Sequence, residues 1–386
     1  MPPQRRIEPR FAALTAALIA FVIYGSLYPF HFYSNPNPAG PLRALLATYR
    51  DRPPRSDLVA NIVLYMPLGF LAIQCLRRRP RWPQILLVIL AGVTLSAAME
   101  LTQFYDRGRS SGMSDVYANA GGTVLGAIAG LVLHRQVHLP STARIRQRPF
   151  VAWMIASWLA YRLFPYAPLI DIHAYWGALK PLVLTPKLPL HDLYRHIVVW
   201  LALAMLFEAL IGSARAGAAL FVLFPAILCA RILMGTALSA AEVTGGLVGV
   251  LTWILWLSRM PARVTWIAAL FVGVVVMQGL EPFRFTAPAR AFGWIPFRSF
   301  LEGSIGVNVL ALFEKTFTYG TMTWLWVRAG YPLRTSAWCA GLLVLCLRFA
   351  QVYIPGRSAE ITDFLMVMIL AGMMKVLAED RALTAP

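Results

Sequence analysis

Glu100, Gln103, Arg109, Ser110, Asp115 and Asn119 fall within twenty residues of one another. Glu100 and Gln103 lie one helical turn apart, and Asp115 and Asn119 repeat that proximity at a spacing of four. Earlier in the chain Asp57, Asn61 and Tyr65 run at intervals of four, which places all three on one helical face. This set supports two kinds of chemistry. A guanidinium grips an anionic group through two parallel hydrogen bonds while carboxylates and amides orient polar neighbours. Alternatively, Glu100 serves as a general base, Arg109 as an anion stabiliser, and Asp115 as the residue that orients one of them. Asp57 and Asp115 also suit helix N-termini, where a carboxylate caps free N–H groups and complements the helix dipole. Glu100 is different. At a helix C-terminus it opposes the dipole, so it calls for a partner such as Arg109 or Arg107.

The elements that must position these residues are apolar. Of 386 residues, 59% are hydrophobic and only 13% charged, with a mean hydropathy of +0.63. That leaves too little polar surface to coat a soluble globule. The chain reads as an all-α, polytopic membrane protein of about twelve transmembrane helices, since a spanning helix needs about 20 apolar residues. The stretches are 11–30, 58–76, 84–104, 115–133, 150–168, 192–211, 217–238, 240–257, 264–281, 304–326, 336–354 and 361–377. The first follows Arg5, Arg6 and Arg10 and has no small-residue cleavage site, as a retained anchor would.

An internal repeat organises the twelve. The run from Gln103 through Gly108, Arg109 and Ser110 to Asp115 recurs as Gln351, Gly356, Arg357, Ser358 and Asp363 at the same spacing. Tyr28-Pro29-Phe30, Phe164-Pro165-Tyr166 and Glu281-Pro282-Phe283 each close the first helix of a group of four. Polar pairs four apart open each second helix, at Asp57 and Asn61, Asp192 and His196, and Ser304 and Asn308. Three four-helix repeats follow: 1–149, a degenerate 150–260, and a divergent 261–386. Gly121, Gly122, Gly126 and Gly130 supply small-residue spacing for close helix packing. In the last group Arg348 stands where Glu100 does, so Arg348 is expected to pair with Asp363 or Glu314. Glu314 and Lys315 are expected to pair with neighbouring helices, and Glu208 to snorkel from a helix end.

The net charge of +18 follows the positive-inside pattern rather than a nucleic-acid surface. Arg77–Arg79 and Arg81, then Arg135, Arg144, Arg146 and Arg148, then Arg259 with Arg263 and Arg328 with Arg334 fall on the side of the basic N-terminus. Both termini are then cytoplasmic, and both Gln-to-Asp motifs face outward. The cysteines, Cys75, Cys229, Cys339 and Cys346, lie in apolar segments and read as packing residues. Neither they nor the histidines show metal-ligand spacing, so no metal or cofactor is expected.

Asp57, Asn61, Tyr65, Pro67 and Gly69, then Glu100-x-x-Gln103, Gly108-Arg109-Ser110, Asp115, Asn119 and Gly122, resemble the signature of the VanZ-like family. The resemblance covers the first third fully and the last third in part. It implies a four-helix module of the bacterial inner membrane, from a family whose namesake is associated with teicoplanin resistance. The expected function is an outer-facing polar pocket that binds a lipid headgroup or amphiphilic ligand, formed by Asp57, Asn61, Tyr65, Glu100, Gln103, Arg109, Ser110, Asp115 and Asn119. Its expected partners are membrane lipids or lipid-linked envelope precursors, with no nucleic acid. A membrane enzyme acting on a lipid-linked substrate is the alternative, with Glu100, Arg109 and Asp115 as its catalytic candidates. A transporter ranks third, because the polar set lies at one surface rather than at broken helices in the midplane.

Overall fold

A computed structural model describes residues 8–51, 55–76, 80–107, 109–135, 148–302 and 305–377. Arg5, Arg6, Arg77–Arg79, Gly108, Arg144, Arg146 and Ser304 lie outside them, as do the side chains of Asp57 and Arg135. The described residues are all-α, with fifteen helices. These are α1 (Pro9–Leu27), α2 (Gly40–Ala47), α3 (Arg55–Gln74), α4 (Trp82–Gln103), α5 (Met113–Arg135), α6 (Pro149–Leu163), α7 (Ile172–Val183) and α8 (Leu190–Ile211). They continue with α9 (Ser213–Leu233), α10 (Ala240–Leu255), α11 (Arg263–Leu280), α12 (Arg298–Glu302), α13 (Ile305–Arg328), α14 (Leu333–Ala350) and α15 (Thr362–Leu377). The chain forms two compact units, Met1–Ala143 with Gly303–Val307, and Arg144–Glu302 with Asn308–Pro386.

Seven of the described helical segments are long and apolar enough to cross a membrane: Pro9–Leu27, Trp82–Gln103, Leu190–Ile211, Ser213–Leu233, Ala240–Arg259, Arg263–Leu280 and Leu333–Tyr353. The chain is therefore a multi-pass membrane protein. The other five expected stretches are helical but fall short of that measure, each for a local reason. α6 and α15 have only 15 and 16 residues. α3 keeps an apolar run only over Asn61–Gln74. α5 is diluted by glycines, and α13 carries Glu314, Lys315 and four threonines.

Three helix ends are built alike. α1, α6 and α11 stop before Tyr28-Pro29, Phe164-Pro165 and Glu281-Pro282, because a residue preceding proline is forced out of the α region. Tyr28, Phe164 and Glu281 are all extended, with φ/ψ of −67/135, −62/138 and −61/137. The aromatic residue after each proline then turns left-handed, with φ of 63° at Phe30, 61° at Tyr166 and 60° at Phe283.

In the first unit, α3 and α5 meet backbone to backbone. A Cβ added at Gly126 would overlap the carbonyl oxygen of Met66, one at Gly122 that of Ile62, and one at Gly69 that of Thr123. Gly130 packs on Ile73, whereas Gly121 faces open space. Small residues at this interface let two helices approach where lipid supplies no hydrophobic drive. Val22, Tyr65 and Leu68 form the adjoining buried core. In the second unit α8 is the central helix, buried continuously from Trp200 to Leu206. Gly245 and Gly249 of α10 abut the backbone of α8 at Leu193 and Ile197. Glu208 is paired, with Arg263 holding both its oxygens at 3.2 and 2.8 Å. The cysteines are free, and Cys229, Cys339 and Cys346 are exposed on helix surfaces rather than packed inside.

Candidate functional site

The buried residues of α4 are Gly92, Ser96, Glu100 and Gln103. Their spacing of four, four and three makes a single stripe, so the fully buried face of α4 is small and polar, with Leu95 packed beside it on Val22, Tyr65 and Leu68. Asp115, Asn119 and Thr123 form the facing stripe of α5. Asn119 Nδ2 donates to Ser96 Oγ at 2.9 Å, and Ser96 also hydrogen bonds to the buried Tyr65 of α3. Thr123 Oγ1 turns back to Asn119 O at 2.9 Å. Asn119 Oδ1 is buried with no hydrogen-bond partner among the described residues.

One turn further along both helices lie the carboxylates. Glu100 is only 4% exposed, and its Oε2 accepts the Gly112 N–H at 2.8 Å. Asp115 Oδ2 borders the same glycine, 3.9 Å from where a Cβ there would sit. Glu100 is thus close enough to feel both the Asp115 carboxylate and the Arg109 guanidinium. Its direct partner, however, is the Gly112 backbone and not the arginine expected from the sequence. Arg107 lies over the Tyr33 ring at 5.2 Å.

Arg109 points its fork at the end of α1. Nε donates to Tyr28 O and Nη2 to Gly25 O, each at 2.9 Å, and Gln103 Nε2 donates to Ser26 O at 2.8 Å. The last carbonyls of a helix have no partner within it and carry the negative end of the dipole, so a guanidinium there satisfies both needs. Asp106, missed in the sequence, is 2% exposed and accepts the His31 N–H at 3.1 Å. It anchors a short antiparallel pairing in which Tyr33 N donates to Tyr105 O at 2.9 Å and Arg107 N to His31 O at 3.1 Å.

Residues 11–134 match the VanZ/LLP1 family model. No curated protein and no solved structure matches the chain. The VanZ/LLP1 domain runs from the third residue of α1 to the next-to-last residue of α5 and holds every residue of the expected pocket. Within it Tyr65, Glu100, Gln103, Asp115 and Asn119 come together around the α4–α5 stripe, with Arg109 bracing α1 beside them. Asn61 is half-buried on α3, and Ser110 is exposed. Ser96 was also missed, although it lies four residues before Glu100 and so on the same helical face.

The last third of the chain makes the same brace with other residues. Gln351 Nε2 donates to Gly279 O at 2.6 Å and Arg357 Nε to Glu281 O at 2.9 Å. Glu281 precedes its proline as Tyr28 does, and Gly279 is three residues before it as Ser26 is. Thr286 N donates to Tyr353 O at 2.8 Å, matching the bond from Tyr33 to Tyr105. The charges behind the brace differ. Arg348 is paired with Asp363, as expected from the sequence. Lys315 Nζ holds the other Asp363 oxygen at 2.8 Å, and Tyr319 donates to Asp363 at 2.7 Å. In the middle third, Arg162 and Arg231 both meet Glu242, the latter at 3.1 Å.

Among the described residues no group of three His, Cys, Asp or Glu side chains is placed to hold a metal ion. A cleft lined by His191, Asp192, Tyr194, Arg195, Val274, Met277, Gln278 and Glu281 lies in the second unit.

Proposed function

We propose that this protein is a multi-pass protein of the bacterial inner membrane whose first four-helix module binds, on the outer face, the amine-bearing headgroup of a lipid, amphiphile or lipid-linked envelope precursor. Both termini are cytoplasmic in this reading, and the chain comprises three related four-helix modules with twelve spans. The fifteen helices support the repeat by falling into three runs of five, each a long helix, a short one and three more. The recurring proline ends and the shared Gln and Arg braces support it further.

The observation that carries the ligand class is the use of Arg109. Its Nε and Nη2 are engaged by the carbonyls of α1, while Glu100 and Asp115 converge at Gly112. Asn119 adds an acceptor without a donor, so the group best matched to this place is cationic or rich in N–H donors. At the corresponding place the middle and last modules hold Arg231 against Glu242 and Arg348 against Asp363. Each of those acids is met by cations of its own module, Glu242 by Arg162 and Arg231 and Asp363 by Arg348 and Lys315. In the first module two acids instead approach each other at Gly112, and this supports it as the binding module. Any part in glycopeptide resistance would rest on the family's namesake and on recognition of an amine.

The catalytic alternative needs Arg109 to face a developing anion, and its engagement at the end of α1 favours binding over turnover. The test is titration of purified full-length protein in nanodiscs with dodecylamine and, as a neutral control, dodecanol. Dodecylamine should bind, and Glu100→Gln and Asp115→Asn should each weaken it by about tenfold, the equivalent of roughly 1.4 kcal/mol. Equal binding of the two amphiphiles, or no change in either variant, would overturn the reading.

A further inference from the structure

Three helix ends in the second unit bring two guanidiniums to one carboxylate. Arg162 sits in the last turn of α6, Arg231 in the last turn of α9 and Glu242 in the first turn of α10. Arg162 and Arg231 both contact Glu242 Oε1. Their side chains are only 12% and 13% exposed, and that of Glu242 is 7% exposed. The triad therefore carries a net charge of +1 in a largely desolvated place, where an unbalanced cation is costly.

The surroundings offset that charge only in part, through Glu314, which is shared among Arg195, Lys315 and Arg162. His196 lies among Arg162, Arg195 and Arg231 and offers no negative charge. Arg195 has its own partner in Asp192 at 3.1 Å. Glu314 hydrogen bonds to Tyr161 and feels Arg195 and Lys315 more strongly than Arg162. Meanwhile Arg231 is held in place. Its Nη2 donates to Ala237 O at 2.8 Å, and Thr236 Oγ1 donates to Arg231 O at 2.9 Å. Its Nε is buried and has no hydrogen-bond partner among the described residues. A fixed guanidinium with an unused N–H, next to a second guanidinium and a surplus positive charge, is suited to a tetrahedral oxyanion.

We infer that Arg162 and Arg231 form an anion site in the middle third, outside the VanZ/LLP1 domain, for a phosphate group carried by a phosphodiester lipid or present as free phosphate. Ser239 caps α10 by accepting the Glu242 N–H at 3.1 Å, and the positive end of that helix adds to the attraction. Glu242 occupies part of the guanidinium surface in competition with the ligand. It is a brake on affinity as well as a structural partner.

That competition supplies the test. Full-length protein in nonionic micelles is titrated calorimetrically with short-chain phosphatidylglycerol, with inorganic phosphate and with an uncharged short-chain diacylglycerol. Wild-type protein should bind at least one of the two phosphates and not the diacylglycerol. Binding of phosphatidylglycerol alone identifies a lipid source, and binding of inorganic phosphate identifies a soluble one. Arg231→Gln and Arg162→Gln should each weaken the binding by about tenfold or more, and Glu242→Gln should tighten it. A purely structural triad would give no phosphate binding in wild-type protein, or weaker binding in Glu242→Gln, and either result overturns the site. If the arginine variants fail to fold, the wild-type titrations and Glu242→Gln still decide.

Discussion

Replacing Arg109 with lysine keeps the charge and removes the fork. The guanidinium reaches Tyr28 O and Gly25 O with two different nitrogens, each at 2.9 Å. One ammonium nitrogen on a flexible stem cannot reproduce that planar fork, and we expect it to keep one of the two bonds in good geometry. A hydrogen bond from a charged donor nets about 1.5–3 kcal/mol, so Arg109→Lys should weaken the docking of α1 by about that amount. Arg109→Met loses both bonds, at roughly twice that cost as an upper bound, because partly exposed carbonyls recover water. Cys75 provides a reporter, since its Sγ lies 3.3 Å from Thr15 Oγ1 of α1. With Cys229, Cys339 and Cys346 replaced, the rate at which a small membrane-permeant maleimide labels Cys75 measures how often α1 leaves α3. A loss of that size should raise the rate roughly ten- to a hundredfold. Wild-type labelling in Arg109→Lys together with lost dodecylamine binding would refute the reasoning and make Arg109 a ligand group.

Gly126→Ala should destabilise the VanZ/LLP1 domain by about 1–3 kcal/mol or more through overpacking, because its methyl would overlap backbone at Met66; Gly121→Ala, facing open space, should leave thermal unfolding unchanged. Arg348→Met should lower the thermal stability of the whole protein while leaving dodecylamine affinity intact, since Asp363 is 1% exposed and would lose one of its two cations, keeping Lys315 and the Tyr319 hydroxyl. Loss of binding with normal folding would instead make the last module a second site. Cysteines placed at Ser34, Ser110 and Ser358, all exposed, should react with a membrane-impermeant maleimide in intact cells, whereas one at Ala262 should need permeabilisation. Labelling of Ser110 and Ser358 positions on opposite sides would break the repeat.

The helices and their ends were legible because their causes are local. Proline forces Tyr28, Phe164 and Glu281 out of the α region whatever surrounds them, and apolar runs near 20 residues mark segments such as α4 and α9 without tertiary information. Even the narrow division between α9 and α10 was readable, and the structure opens it into the turn at 234–239. Span number was less legible. Composition averages over polar residues such as Glu314 and Lys315, which become affordable only when a neighbouring helix supplies Asp363 or Tyr161. The packing role of Gly122 and Gly126 was visible from spacing, but their contact with α3 depends on which helix lies opposite.

That Glu100, Asp115 and Asn119 lie on neighbouring helix faces was readable, yet the partners of Arg109 were not. Spacing brings Arg109 near Glu100 along the chain, and a one-dimensional reading pairs the nearest opposite charges. The chain solves a different problem first. The end of α1 presents unsatisfied carbonyls within reach, and a guanidinium can satisfy two of them where a carboxylate needs only the Gly112 N–H. Arg357 does the same for the end of α11 at Glu281 O, although the position of Glu100 is taken there by Arg348. The brace is therefore independent of the charge behind it, which leaves that charge free to vary. An acid at that position gives a place for a cation, and an arginine gives a closed pair with Asp363. On the proposed reading, one scaffold carries a binding module and a structural one, and a single side chain decides between them.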